Sequence, residues 1–263
     1  MKKLFALLLA ALMLTAFAGC GKDTAQILVA EKGSAGEEVA QTDDTFKDYE
    51  YTAVDSQAKA LMEVSAGTAD AAVVDYVMSI GSIGAGTDYK DLIVEGNGFA
   101  EESYGIAFRK GSDFTAKVNA AIAELKASGK LVEIAKKYKL QDQITATESS
   151  DAFKKSESNS DAEYIESKGK LIIGITYFAP MNYEDKNGKL TGFETEFATA
   201  VCEKLGLEPV FQEIEWDSKE TELSAKNIDC IWNGMTINEE RSKNMSITIP
   251  YMLNKQVKVV KSK

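Results

Sequence analysis

One supersecondary unit occurs twice in this chain. A helical stretch ends in Gly67-Thr68-Ala69-Asp70 and leads into the apolar run Ala71-Ala72-Val73-Val74; a second ends in Ala225-Lys226-Asn227-Ile228 and leads into Asp229-Cys230-Ile231-Trp232. Short continuous apolar runs fit strands buried on both faces, and such strands need helices to cover them. Each copy lies in a block where strands alternate with helices, which implies two α/β lobes built on similar plans.

In the first block, Ile27-Leu28-Val29-Ala30 reads as a strand that runs into the turn Gly33-Ser34-Ala35-Gly36 and an acidic helix start. Ser56 to Ala66 reads as a helix and Tyr104 to Phe108 as a strand. Val118, Ala121, Ile122 and Leu125, then Leu131, Ile134, Ala135 and Tyr138, fall at helical spacing, with Gly129 between them. In the second block, Leu171 to Ile175 is a strand and Asn187-Gly188 a hairpin turn. The chain returns through Thr191-Gly192-Phe193 into a helix from Glu194 to Leu205, ended by Gly206. Pro209 to Glu215 reads as a strand and Lys219 to Ala225 as a helix. Between the blocks, residues 142–162 are polar, poor in aromatics and without period, as a flexible linker would be.

Charge and composition exclude several functions. At 263 residues and 44% hydrophobic, the chain can bury one large or two medium cores. A net charge of −11 argues against nucleic acid, whose phosphates call for a basic surface. The count of histidines is 0, which removes the commonest general base and metal ligand, and no cofactor motif is present. Cys202 and Cys230 could be bonded in an oxidising exterior or serve equally as small buried hydrophobes. Without histidine they cannot close a zinc shell.

The segment Asp229-Cys230-Ile231-Trp232-Asn233-Gly234-Met235-Thr236-Ile237-Asn238-Glu239-Glu240-Arg241 sets a guanidinium five residues after a threonine hydroxyl, at the mouth of a strand. Arginine's planar fork matches both oxygens of a carboxylate, and the threonine and turn N–H groups can complete the shell. The segment closely resembles the anion-binding stretch of polar amino-acid-binding proteins, the extracytoplasmic receptors of ABC importers. The resemblance extends over nearly all of residues 26–263 and implies a two-lobed, type II periplasmic-binding-protein fold, each lobe a mixed sheet flanked by helices. The order differs from the family's: the usual second lobe comes first, so the sequence looks circularly permuted. The expected division is 26–106 plus 254–263 for the smaller lobe and 107–141 plus 163–253 for the larger, with 142–162 joining the family's usual termini.

The resemblance also implies a site. Arg241, Thr236 and the N–H of Ala35, beside Ser34, match the family's carboxylate shell, and Asp75 matches the acid that pairs with the α-ammonium. Carbonyls near Asn233 and Gly234 would share that ammonium. Phe178, Trp216 and the neighbouring Tyr177 fall where the family walls the ligand with aromatics. Glu31 occupies a side-chain specificity position, with Lys32 beside it, so a neutral polar and a basic amino acid are both open. Because Arg241 and Asp75 lie on different lobes, the ligand would bridge them and favour hinge closure. Asp75 could instead cap a helix after its strand.

Met1-Lys2-Lys3 and the apolar run Leu4 to Leu14 suit a signal peptide over 1–19. Thr15-Ala16-Phe17-Ala18-Gly19-Cys20 resembles a bacterial lipobox, with Phe17 where leucine is usual. It implies a diacylated Cys20, a tether over 20–25 and a lipid-anchored protein outside the cell membrane. The expected function is that of a monomeric receptor, not an enzyme, delivering a polar amino acid to an ABC permease. Two alternatives remain: an enzyme such as the cyclohexadienyl dehydratases or lytic transglycosylase relatives that share the fold, with Glu31 or Asp75 as acid, or the sensing module of a signalling receptor.

Overall fold

The computed structural model describes residues 25–99, 101–145 and 161–263. The signal peptide, Cys20, most of the tether and most of the linker lie outside these residues. The described residues form two mixed sheets flanked by helices, as the alternating sequence predicts.

The first sheet has the order β2-β1-β3-β13-β4, from Gln26–Glu31 (β1), Tyr49–Val54 (β2), Ala71–Asp75 (β3), Leu92–Glu95 (β4) and Met252–Lys261 (β13). Strands β1, β2 and β3 run parallel, and β13 is antiparallel to β3 in the register Val257↔Val74 and Val259↔Ala72. Helices α1 (Ala35–Thr42), α2 (Gln57–Ala66) and α3 (Tyr76–Ser82) connect these strands or leave them. The second sheet repeats the plan as β10-β7-β11-β6-β12, from Ala107–Arg109 (β6), Lys170–Ile175 (β7), Glu208–Glu213 (β10), Cys230–Ile231 (β11) and Met245–Ile247 (β12). Here β10, β7 and β11 are parallel, and β6 is antiparallel to β11 and β12. Helices α4 (Phe114–Ala127), α5 (Lys130–Lys137), α6 (Asp161–Ser167), α7 (Phe193–Leu205), α8 (Lys219–Ser224) and α9 (Glu239–Asn244) belong to this half, and Tyr183–Glu184 (β8) pairs with Leu190–Thr191 (β9) as a small hairpin.

In each sheet the antiparallel fourth strand comes from the other block of sequence. Strand β13 follows the second block yet lies between β3 and β4, and β6 follows the first block yet lies between β11 and β12. The two crossings meet side by side, because β5 (Glu101–Tyr104) pairs with the first half of β13, Tyr104 opposite Met252 and Glu101 opposite Lys255. Two adjacent strands thus join the two sheets, a connection of few residues.

Two expectations change, and one open alternative is settled. The strand read over Tyr104 to Phe108 is two strands, broken at Gly105-Ile106 where the chain passes between sheets. A Cβ on Gly105 would stand 2.6 Å from Ile247 Cγ2, so this close passage needs glycine. The linker read over 142–162 is narrower than composition suggests. Ile144 bridges Met252, the Thr145 N–H donates to the Tyr251 carbonyl (3.2 Å), and a helix has begun by Asp161. Asp161 is buried and held by Arg109 Nε at 2.7 Å. Finally, Cys202 on α7 and Cys230 on β11 are free, not a disulfide. Both are fully buried in the core, where burial pushes the Cys202 thiol up to about 12.

Candidate functional site

Parallel strands of both sheets end at one crevice, the position that open α/β sheets reserve for ligands. Strand β1 ends there in Glu31, β3 in Asp75, and β11 leads directly to Asn233-Gly234. The cavity between them is lined by Glu31, Ser34, Ala35, Asp75, Trp216, Asn233, Gly234, Thr236 and Arg241, together with Gln57 and Gln256. Sequence reasoning named the first nine and missed the two glutamines.

On the first-sheet side, the turn after Glu31 delivers the N-terminus of α1. Gly33 has a φ of +71°, and the Ser34 hydroxyl caps the helix by accepting from the Glu37 N–H at 3.0 Å. The N–H groups of a first helical turn have no intrahelical acceptor. Those of α1 begin at Ala35, on the cavity wall, and suit an anion. Asp75 stands at the N-cap of α3 but makes no capping bond there, which answers the alternative reading of it. Its carboxylate accepts from the amides of Gln57, Asn254 and Gln256, the last at 2.8 Å. Glu102, on β5, shares the Asn254 and Gln256 amides. These amides come from α2 and β13, so the acidic end is assembled from three distant segments.

On the second-sheet side, Asn238 caps α9 by accepting from the Arg241 N–H at 2.8 Å, which fixes Arg241 in the first turn. The guanidinium donates to the Thr236 carbonyl (2.9 Å) and, across the crevice, to the Gly33 carbonyl (3.3 Å). Lys219 Nζ donates to the same Gly33 carbonyl and to that of Trp216, both at 3.1 Å, and lies over the Trp216 ring. Lys32, which follows Glu31 and could have neutralised part of its charge, turns instead to Asp217 at 2.7 Å. With these contacts the crevice is closed: Arg241 is buried at 7% exposure, not solvated in an open cleft as a hinged receptor suggests.

The loop carrying Asn233 and Gly234 is held from behind. Asn233 donates to the Thr176 hydroxyl at 2.6 Å, and the Gly234 N–H donates to Glu194 Oε1 at 2.9 Å. Glu194 also accepts from Asn182 at 2.9 Å and from the Tyr251 hydroxyl at the crossing, so one buried carboxylate ties the loop to the hinge. Gly234 has a φ of +57°, and an added Cβ would stand 2.6 Å from Phe178. Phe178 therefore supports the loop rather than lining the cavity. Tyr177, next to it in the extended chain, is 40% exposed and donates to Glu184 at 3.2 Å, away from the cavity. Of the three aromatics, only Trp216 lines the site.

The electrostatics are one-sided. Burial and then the Asp75 charge push Glu31 up to about 8 and Glu102 up to about 7; burial raises Asp75. Burial, then Arg241, brings Lys219 down to about 8. No salt bridge joins Arg241, Lys219, Glu31, Asp75 or Glu102 to any group of opposite charge among the described residues. A carboxyl whose folded pKa lies above its unfolded value makes the native state bind more protons, so stability falls as pH rises from near 4.5 to near 8. Each pKa unit is ~1.4 kcal/mol. The ligand-free protein should therefore melt ~5 °C or more lower at pH 8 than at pH 5, taking ~2–4 °C per kcal/mol for a chain of this size. A rise in melting temperature over that range would contradict the assignment of Glu31 and Glu102 as buried neutral acids.

The family model described as bacterial extracellular solute-binding proteins, family 3, matches residues 171–263. A probable amino-acid ABC transporter-binding protein of Haemophilus influenzae is 41% identical over 102 residues, covering 38% of this chain and 40% of the relative. The L-cystine-binding protein TcyJ of Escherichia coli is 34% identical over 91 residues, covering 34% of each. This chain thus spans two fifths or less of the length of these two curated relatives, which are named as binding proteins and not as enzymes. Among solved structures, an ABC uptake transporter substrate-binding protein from Streptococcus pneumoniae with bound histidine is 38% identical over 34% of this chain and 36% of that one, with a TM-score of 0.32. The likeness to bacterial extracellular solute-binding proteins, family 3, thus rests on residues 171–263.

Proposed function

We propose that this chain is an extracytoplasmic receptor that captures an amino acid between two lobes and presents it to the permease of an ABC importer. The observation that carries the reading is the pairing of Arg241 with Asp75. They line one cavity from opposite sheets, and neither has an ionic partner among the described residues. A zwitterion bridging them supplies each with its counter-charge, and a buried charge without one is costly. Thr236 and the first-turn N–H groups of α1 complete the carboxylate shell. The relatives named for amino acids and for L-cystine support the same class of ligand.

The architecture fits this role as two lobes, 26–106 plus 254–263 and 107–141 plus 163–253, hinged at the paired crossings β5 and β13. The strand exchange between sheets supports a circularly permuted family order, in which 142–162 joins what are elsewhere the two termini. A monomer tethered to the membrane by a lipid on Cys20 is the form in which it would work. Among the described residues, no helix is long and apolar enough to cross a membrane.

A thermal-shift screen against the twenty amino acids and L-cystine tests the reading. A ligand at about 1,000 times its dissociation constant stabilises by ~4 kcal/mol. One or a few compounds should raise the melting temperature clearly; a flat response to all of them removes the amino-acid assignment.

A further inference from the structure

Thr236 has one hydroxyl hydrogen and two oxygen groups that compete for it. A ligand carboxylate held by Arg241 draws it into the cavity, which Thr236 lines. The Glu102 carboxyl, which the hydroxyl also faces, draws it the other way. The register brings these two side chains together. Tyr104 on β5 bridges Thr236 in antiparallel pairing, so Glu102, two residues before Tyr104, falls on the same face and diagonal to Thr236. Oε1 of Glu102 is taken up by the Asn254 and Gln256 amides, the latter at 2.7 Å, which leaves Oε2 for the hydroxyl.

The protonation state of Glu102 decides the competition. An ionised carboxylate only accepts, so it takes the hydrogen and leaves the Thr236 lone pairs toward the ligand carboxylate, oxygen against oxygen. A neutral carboxyl donates to Thr236 instead and frees the hydroxyl hydrogen for the ligand. The surroundings favour the neutral form. Asp75 accepts from the same two amides, so two acids stand side by side, and like charges so placed resist ionising together. Burial acts in the same direction. Lys255, on the facing strand, turns away to the Asn97 carbonyl at 2.7 Å. Arg241 faces both acids, but it is assigned to the ligand carboxylate, as Asp75 is to the ammonium. With a zwitterion bound, neither end of the site has a positive charge left for an ionised Glu102.

We propose that Glu102 is a positioning residue: it keeps its proton in the bound state and donates it to the Thr236 hydroxyl, which in turn donates to the ligand carboxylate. This rests on the reading of the cavity as an amino-acid site. The other groups around it that titrate or carry charge are Asp75 and Glu31 from the first sheet, Tyr104 from its own strand, and Arg241 and Lys219 from the second-sheet side. Because the bound form needs the proton, affinity is full below the value to which Glu102 is raised, about 7, and falls as pH rises through it.

Calorimetric titration at pH 6 and pH 8 tests the proposal, with the amino acid that gives the largest thermal shift. Where that is histidine or cysteine, whose own side chains titrate nearby, the next best replaces it. The wild type should lose about tenfold in affinity between the two, as the protonated fraction falls. Glu102→Leu, which donates nothing, should bind about fivefold to tenfold more weakly at pH 6 and change little at pH 8. Glu102→Gln, whose amide donates to Thr236 and whose carbonyl accepts from Asn254 and Gln256, should restore binding to within about threefold of the wild type at pH 6 and hold it at pH 8. Thr236→Val should also flatten the profile, because Glu102 acts through that hydroxyl. A wild-type affinity that is constant or rises with pH overturns the proposal, as does a Gln variant no better than the Leu variant. A fall that persists in Glu102→Gln belongs to another group and overturns the role of Glu102; one that persists in Thr236→Val overturns the route through Thr236. Failure of every amino acid to bind at either pH is a failure of the amino-acid site itself.

Discussion

Arg241→Ala is expected to weaken amino-acid binding by roughly two to four decades, because removing one partner of a buried pair costs ~3–5 kcal/mol. The loss has two sources. A ligand carboxylate held at the proposed site would lose the guanidinium fork, and the crevice loses the contact from the guanidinium to the Gly33 carbonyl at 3.3 Å. The second source acts on closure rather than on the ligand, and Lys219, which donates to the same carbonyl, keeps part of it. The fold should survive, since Arg241 pairs with no carboxylate among the described residues and its helix is capped by Asn238. Calorimetry with the amino acid that the screen identifies decides the matter: a loss below threefold would remove Arg241 from the site.

Deleting residues 256–263 should unfold the sheet at the other end of the sequence. Strand β13 lies between β3 and β4 and pairs with both. Val257 and Val259 are fully buried, and each contributes ~1.5–3 kcal/mol before ladder hydrogen bonds of ~1 kcal/mol apiece are counted. That sum is comparable with the whole stability of a domain, typically ~5–15 kcal/mol. Hydrogen exchange should show lost protection in Ile27–Ala30 and Ala71–Val74. Loss confined to residues 163–250 would contradict the strand exchange. The deletion also removes Gln256, which holds Asp75, so binding should vanish with the lobe.

What the sequence revealed and what it hid follow from distance along the chain. Strands β1, β3, β7 and β11 are short apolar runs buried on both faces and were legible as such. Strand β2 was not, because Tyr49–Val54 is largely exposed at a sheet edge and carries no clear apolar pattern. Helix α3 follows β3 with no intervening turn, so the chain gives no boundary to read. The carboxylate side of the site, Thr236 to Arg241, is local and was readable from one motif. The ammonium side is not: Gln57 and Gln256 meet Asp75 from 18 and 181 residues away. A faint signal did exist, since Asn254 and Gln256 are buried amides on a strand whose other buried residues, Met252, Val257 and Val259, are apolar. Glu194 was hidden for another reason, because an acid in the first turn of a helix ordinarily answers the helix dipole. Neighbours in an extended segment face opposite ways, so Tyr177 and Phe178 could not both be wall residues, and neither is.

The central claim is that one zwitterion spans the crevice from Arg241 to Asp75. A crystal structure of the protein with the amino acid that stabilises it most tests this directly. The account predicts the α-carboxylate within hydrogen-bond distance of the Arg241 guanidinium, the Thr236 hydroxyl and the N–H of Ala35, and the α-ammonium on the Asp75 carboxylate. An amino acid bound outside this crevice, or held in it with its carboxylate away from Arg241, would contradict it.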